Sequence, residues 1–380
     1  MKVLHLIQKK QLRGAEVFTS QLSNHMERLG HQAVIVPLFK ADATLPFSGK
    51  IIELNATASK KYWDLKGWKN LAKIIKEEQP DIIQANAGDT LKYAIFSKLV
   101  FGWKQPVIFR NASTISLYIK NNLVKKLYGY LFSKTEKILS VSQASALDFA
   151  KLFPDCKNKI TVIPIGIEEE EAVEKQTSQN PFKDISASGP VLVHVGGFSF
   201  EKNHIGLIEI FKSVLRRFPQ ATLHLVGDGP LRAETEQSVQ QQNLSTKIFF
   251  HGFQKAPLRW IQYADVLLLP SIIEGLPGVI LEAFYCKTPV VAYNTGGIKE
   301  IVVSGNTGHL VDKDNVDAFA SAVIETIENK EQTARLVANA FQLVTTEYLN
   351  TQIAKRFLDV YKKLNHRKNT SLIKNPVPEL

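Results

Sequence analysis

"SIIEGLPGVILEAFYCKTPVVA", residues Ser271–Ala292, reads as a loop, a short helix and a buried strand. From Gly278 to Cys286 the only charged side chain is Glu282, and its neighbours three and four positions away are Gly278, Val279, Tyr285 and Cys286. A helix that is apolar all round is normally buried, and a buried carboxylate costs several kcal/mol unless it is hydrogen-bonded or paired. Glu282 therefore needs a partner, and a second carboxylate, Glu274, stands just before the helix. On this segment alone two readings are open: an internal cap or ion pair, or a contact to a ligand.

Working outward, the strand "PVVAY" is one of many short apolar runs separated by amphipathic helical patterns. "VLHLI" (Val3–Ile7), "AVIVPL" (Ala33–Leu38), "DIIQA" (Asp81–Ala85), "VIF" (Val107–Phe109) and "KILSVS" (Lys137–Ser142) read as buried parallel strands. A helix with Ala15, Phe18, Leu22, Met26 and Leu29 on one face joins the first two. After "VIPIGI" a polar stretch, Glu168–Pro190, bounded by Pro and Gly, reads as a linker. Alternation then restarts with "VLVHVGG", "TLHLVGDGP", "IFFHGF", "VLLLPS", "PVVAY" and "GHLV". The fold class is α/β, with Rossmann-like parallel-sheet domains over 1–168 and 191–350 and a linker over 169–190. A helix over 351–365 carries Ile353, Phe357, Val360 and Leu364 on one face; residues 366–380 lack periodicity and are expected to be disordered.

The 380 residues suit two domains. Two cysteines, Cys156 and Cys286, form neither a disulfide framework nor a CxxC pattern, which suits a reducing compartment. The N-terminus is too short in apolar residues for a signal peptide, and no run approaches a membrane span, so the expected location is cytoplasmic. Net charge is +11, much of it in the first 140 residues. Ser59–Gln79 and Tyr118–Lys134 mix Lys with Trp, Tyr, Leu and Ile at helical spacing. Such helices either pack on a core with solvated lysines or lie on an anionic membrane surface, peripheral at its inner face.

Glycines after strands are the first candidates for chemistry, because strand carboxyl ends face the crevice of an open sheet. "GAE" (Gly14–Glu16), "VGGFSFEKN" (Val195–Asn203) and "VGDGP" (Val226–Pro230) hold such positions, although each alone is usually turn geometry. Neither GxGxxG nor GxxxxGK[ST] occurs, and the scattered histidines form no HExxH, so no metal is expected.

The run "SIIEGLPGVILEAFYCKTPVVAYNTGGIKEIVVSGNTGHLV" resembles the signature of family 4 retaining glycosyltransferases of the GT-B fold, in which two glutamates are separated by seven residues, as Glu274 and Glu282 are here. "VGGFSFEKN", "LVGDGPLR", "FFHGF" and "ADVLLLPS" precede it in the family's order, and "RGAE", "PDIIQAN", "ILSVSQAS" and "VIPIGI" match more loosely. The resemblance implies two domains facing a central cleft, the C-terminal helix rejoining the first. The second would bind a nucleotide-diphosphate sugar, the donor substrate, with no cofactor, and the first a glycan or lipid-linked acceptor in cell-surface polysaccharide synthesis.

By the same resemblance Glu282 would hold the ribose hydroxyls and Glu274 the sugar hydroxyls, with Gly275, Leu276, Pro277 and Gly278 against sugar and diphosphate. Lys202 would neutralise the leaving diphosphate. Gly14, Gly196, Gly197, Gly252 and Phe253 would complete the substrate site, and Asn111 would stand where the family often has a sugar-contacting histidine. Three departures stand out. Gly197 replaces the arginine that partners the lysine, with Arg13 and Arg110 as candidate substitutes; Asn111 cannot titrate near neutrality; and Ile165 replaces the asparagine of a "PNG" turn. A non-catalytic nucleotide-sugar or glycan-binding relative and a sugar-nucleotide epimerase are the alternatives, while a nucleic-acid binder rests on charge alone.

Overall fold

The computed structural model describes residues 1–60, 63–169, 180–183 and 189–373, with side chains to residue 365. The chain divides into two compact units, one made of Met1–Ile165 with the C-terminal segment from Asn350, the other of Gly166–Leu349.

In the first unit, β1 (Lys2–Lys9), β2 (Gln32–Phe39), β3 (Lys50–Ile51), β4 (Ile82–Ala85), β5 (Val107–Asn111), β6 (Lys137–Ser140) and β7 (Ile160–Val162) form one sheet. All pairings are parallel, in the order β3-β2-β1-β4-β5-β6-β7. Helices α1 (Gly14–Arg28), α2 (Leu65–Glu78), α3 (Gly88–Phe101), α4 (Asn122–Ser133) and α5 (Gln143–Leu152) connect the strands. Leu4, Leu6, Ile83, Val107 and Phe109 on one sheet face pack with Trp68, Leu71, Leu91, Leu131 and Phe132 of α2, α3 and α4. On the other face Val3, Ile82, Ile108 and Leu139 meet Phe18, Leu22 and Met26 of α1. Burial of both faces is why these strands read as unbroken apolar runs.

The second unit has a six-stranded parallel sheet of β8 (Val191–Val195), β9 (Thr222–Val226), β10 (Ile248–Phe250), β11 (Val266–Leu269), β12 (Val290–Tyr293) and β13 (His309–Val311). Their order is β10-β9-β8-β11-β12-β13. Its helices are α6 (His204–Arg217), α7 (Arg232–Gln241), α8 (Leu258–Gln262), α9 (Gly278–Tyr285), α10 (Val316–Glu328) and α11 (Lys330–Glu347). The last helix, α12 (Asn350–Ile373), returns to the first unit, where Ile353, Phe357 and Tyr361 join α1 in the core.

Three details differ from the sequence reading. The terminal helix continues to Ile373 rather than ending at 365, and 374–380 lie outside the described residues. The strands β3, of two residues, and β7, of three half-buried ones, are not part of the sequence reading, since neither shows as a distinct buried apolar run. Within the stretch read as a linker, of which 170–179 and 184–188 lie outside the described residues, Phe182 is buried against the second unit. Its ring lies 4.6 Å from His224 and 5.4 Å from Trp260.

Candidate active site

In each sheet the order reverses once, between β1 and β4 and between β8 and β11, and ligands of open parallel sheets settle at such points beyond the strand carboxyl ends. After β8 come Gly196, Gly197 and the single turn Phe200–Lys202; after β11 comes the loop Ser271–Pro277. Lys202 Nζ meets Glu274 Oε1 at 2.6 Å, both side chains mostly shielded from solvent. Opposite charges 72 positions apart in the chain are thus joined across the switch point.

Backbone contacts set this geometry. Asn203 adopts a left-handed conformation, φ 55°, from which Oδ1 accepts the Gly206 amide and starts α6 while Nδ2 donates to the Pro270 carbonyl at 3.2 Å. The Ile272 amide donates to the Glu201 carbonyl at 2.8 Å. From the far side, Thr295 Oγ1 donates to the Ser271 carbonyl and the Gly297 amide to the Gly275 carbonyl, each at 2.8 Å. Between them Gly296 has φ +55°, and a Cβ there would lie 2.0 Å from the Glu274 carbonyl oxygen. Gly227, φ +145°, approaches Gly196 in the same way, at 1.9 Å from its oxygen. Only glycine allows either approach. Sequence reasoning assigned no role to Thr295 and Gly296; the Gly-Gly pair after a strand was the signal.

Glu282 lies in the second turn of α9 and is half-buried. Its carboxylate hydrogen-bonds to none of the described residues, so burial alone pushes it up to about 7. It also helps raise the Cys286 thiol to about 12, after burial. The amides of Gly278 and Val279, in the first turn of α9, have no acceptor among the described residues, as expected of a helix start. Gly275, Leu276 and Pro277 are buried beneath them.

Beside this pair two groups escaped the sequence reading. His194 is fully buried on β8; its Nδ1 sits 2.9 Å from the Leu268 carbonyl, so Nδ1 carries the proton, while Nε2 faces Gly196. Arg232, bonded to Glu236 at 2.7 Å, brings a guanidinium beside Gly252, where an added Cβ would lie 3.1 Å from Nη1. Phe253 follows with its ring half exposed.

Two family models, matched in tandem, settle the lineage: Glycosyltransferase Family 4 over residues 12–171 and Glycosyl transferases group 1 over 175–343. The chain belongs to the group 1 glycosyltransferases. It is 26% identical over 254 residues to a Streptomyces fradiae 2-deoxystreptamine N-acetyl-D-glucosaminyltransferase, covering 64% of this chain and 59% of that protein. It is 25% identical over 279 residues to an Escherichia coli UDP-Gal:alpha-D-GlcNAc-diphosphoundecaprenol alpha-1,3-galactosyltransferase, covering 70% of this chain and 71% of that one. Among solved structures, Anabaena Alr3699/HepE in complex with UDP and glucose superposes with a TM-score of 0.79 at 19% identity, over 96% of this chain and 100% of that one. The fold is GT-B.

The remaining expected residues divide. Gly14, exposed, opens α1 at the switch point of the first unit. Gly197 is exposed and open: an added Cβ would meet only the Asp228 carbonyl, at 3.5 Å. Asn111 is buried at the end of β5, and its amide donates to Ser140 Oγ at 3.3 Å and the Ser145 carbonyl at 3.2 Å. Arg110, proposed as a substitute cation, is 3% exposed and lies 4.3 Å over the Phe18 ring in the α1 core, so it is not presented to solvent; Arg13 is exposed.

Proposed function

We propose that this protein is a retaining, metal-independent glycosyltransferase. It moves a sugar from a nucleoside-diphosphate donor to a glycan or lipid-linked acceptor in cell-surface polysaccharide synthesis, from the cytoplasmic side. The observation that carries this reading is the Lys202–Glu274 pair joined across the β8/β11 switch point, with Glu282, eight positions further on, lacking a partner among the described residues. The relatives support the donor and acceptor classes: UDP-Gal and a diphosphoundecaprenol for the Escherichia coli protein, UDP and glucose for the Anabaena structure.

The chemistry follows from charge. A diphosphate carries more charge than one carboxylate and draws Lys202 Nζ from Glu274, which frees Glu274 to accept from sugar hydroxyls. The bond from the anomeric carbon to the diphosphate oxygen breaks, its electron pair leaving with that oxygen, which takes the proton of the attacking acceptor hydroxyl. The acceptor oxygen bonds to the same face of the sugar. Positioning and charge stabilisation then do the work of a separate base or metal. The free amides of Gly278 and Val279 face phosphate oxygens, and Glu282 holds the ribose. Asn111, whose amide is spent within its own unit, shapes the loop after β5.

UDP-, GDP- and ADP-sugars are screened by thermal stabilisation. The matching donor, at 100 times its dissociation constant, adds about 2.7 kcal/mol. Its product keeps the donor's anomeric configuration by NMR, and turnover persists in chelator. Stabilisation by no nucleotide sugar would sink the reading.

A further inference from the structure

From Ala112 to Thr135 the chain has four lysines and no acidic residue. Lys120, Lys125, Lys126 and Lys134 are all exposed, and none has a carboxylate partner among the described residues. Leu123, Lys126 and Tyr130, with Lys134 at the C-terminal cap, follow each other at helical spacing on the outward side of α4, Leu123 being 75% exposed. Leu117 and Tyr118, on the preceding turn, are exposed as well. Beside this stripe a groove of about 580 Å³ runs between α4 and the turn after α5, lined by Lys125, Lys126, Gly129, Phe153 and Asp155. Lys159 closes it but is already bonded to the carbonyls of Ser133 and Thr135 at 2.7 Å.

A second group has the same make-up. Trp63, 83% exposed, and Leu65, 60% exposed, precede Lys66 and Lys69 at the start of α2. The topology brings the two groups together. Helices α2, α3 and α4 pack on one face of the sheet and all begin beyond strand carboxyl ends. Neighbouring helix axes lie about 8–10 Å apart, so the starts of α2 and α4 are within about 20 Å of each other.

We propose that this edge of the first unit docks on an anionic lipid bilayer, with Trp63, Leu65, Leu117 and Leu123 entering the headgroup boundary and the surrounding lysines meeting lipid phosphates. Apolar side chains ringed by cations that have no carboxylate partner among the described residues are what an interfacial surface needs, and each cation near an anionic leaflet adds about fivefold in affinity. A water-facing protein–protein contact would not need the run of uncompensated charge. The docking deepens the proposed function: the same strand edge would face acceptors anchored in that membrane.

The full chain is tested by flotation with phosphatidylcholine vesicles and with vesicles containing phosphatidylglycerol. The wild type floats with the anionic vesicles alone, and less as salt rises. Lys125→Glu/Lys126→Glu weakens partitioning at least about 25-fold, and Leu123→Ser lowers it at constant salt dependence. Thermal stabilisation by UDP is measured on the same samples and stays at the wild-type value, so a failure of docking is told apart from a failure of the donor assignment. Absence of flotation at low salt, or variants that float like the wild type, would overturn the proposal. A concentration-dependent dimer abolished by Leu123→Ser would assign the face to a second copy of this chain and overturn it too.

Discussion

Glu282→Gln should make the free protein more stable and its grip on the donor weaker, and both effects can be sized. Burial moves the carboxyl from 4.5 to about 7 in the folded chain. Between those values the folded state holds more protons than the unfolded one, so stability falls as pH rises through that window and stays low above it. The displacement is worth about 3 kcal/mol once both states are ionised. Glutamine has the shape of the protonated acid and escapes the penalty. Against wild type the variant should therefore gain about 3 kcal/mol at pH 8 but only about 1 kcal/mol at pH 5. For a unit of this size that is about 6–12 °C at pH 8 in the transition of the second unit, read by calorimetry without ligand. The same substitution should weaken UDP binding at pH 8 about tenfold or more, since charge-assisted hydrogen bonds to the ribose become neutral ones. A stability gain equal at both pH values would refute the ionised, unpartnered carboxylate. Unchanged UDP affinity would refute the ribose contact.

Gly197 has room for a side chain on ordinary backbone, so Gly197→Arg should leave the melting temperature unchanged and tighten UDP binding about tenfold by restoring a second cation beside Lys202; unchanged affinity by calorimetric titration would show that Arg232 or the helix amides already fill that role. Gly296→Ala should cost at least about 2 kcal/mol, because the left-handed backbone and the 2.0 Å approach to the Glu274 carbonyl both resist a Cβ. Turnover should fall further than stability accounts for, as Glu274 is displaced; a variant with wild-type turnover would separate that loop from the chemistry.

Much of this was legible in the residues. Apolar runs such as "VLLL" and "VVAY" are long enough only for strands, and their lack of alternation requires burial on both faces, hence parallel sheets with helices on each side. Glu282 was legible as a carboxylate in need of a partner because its helical neighbours are apolar. Phe182 was not legible, since one aromatic in a polar stretch does not reveal what it packs on. Nor was the withdrawal of Arg110 and Asn111 from the surface, because side-chain direction on a strand depends on the register of its neighbours.

By itself, then, the sequence determined most of the strands and helices and which residue types stand after the strands, because those follow from local periodicity and turn chemistry. Only the tertiary structure decided that Lys202 meets Glu274, that Gly296 presses on the Glu274 backbone and that Glu282 is left without a partner among the described residues. Those facts depend on β11 lying beside β8 and β12 beside β11, a strand order set by the packing of whole sheets and helices and by nothing within a few residues of any of them.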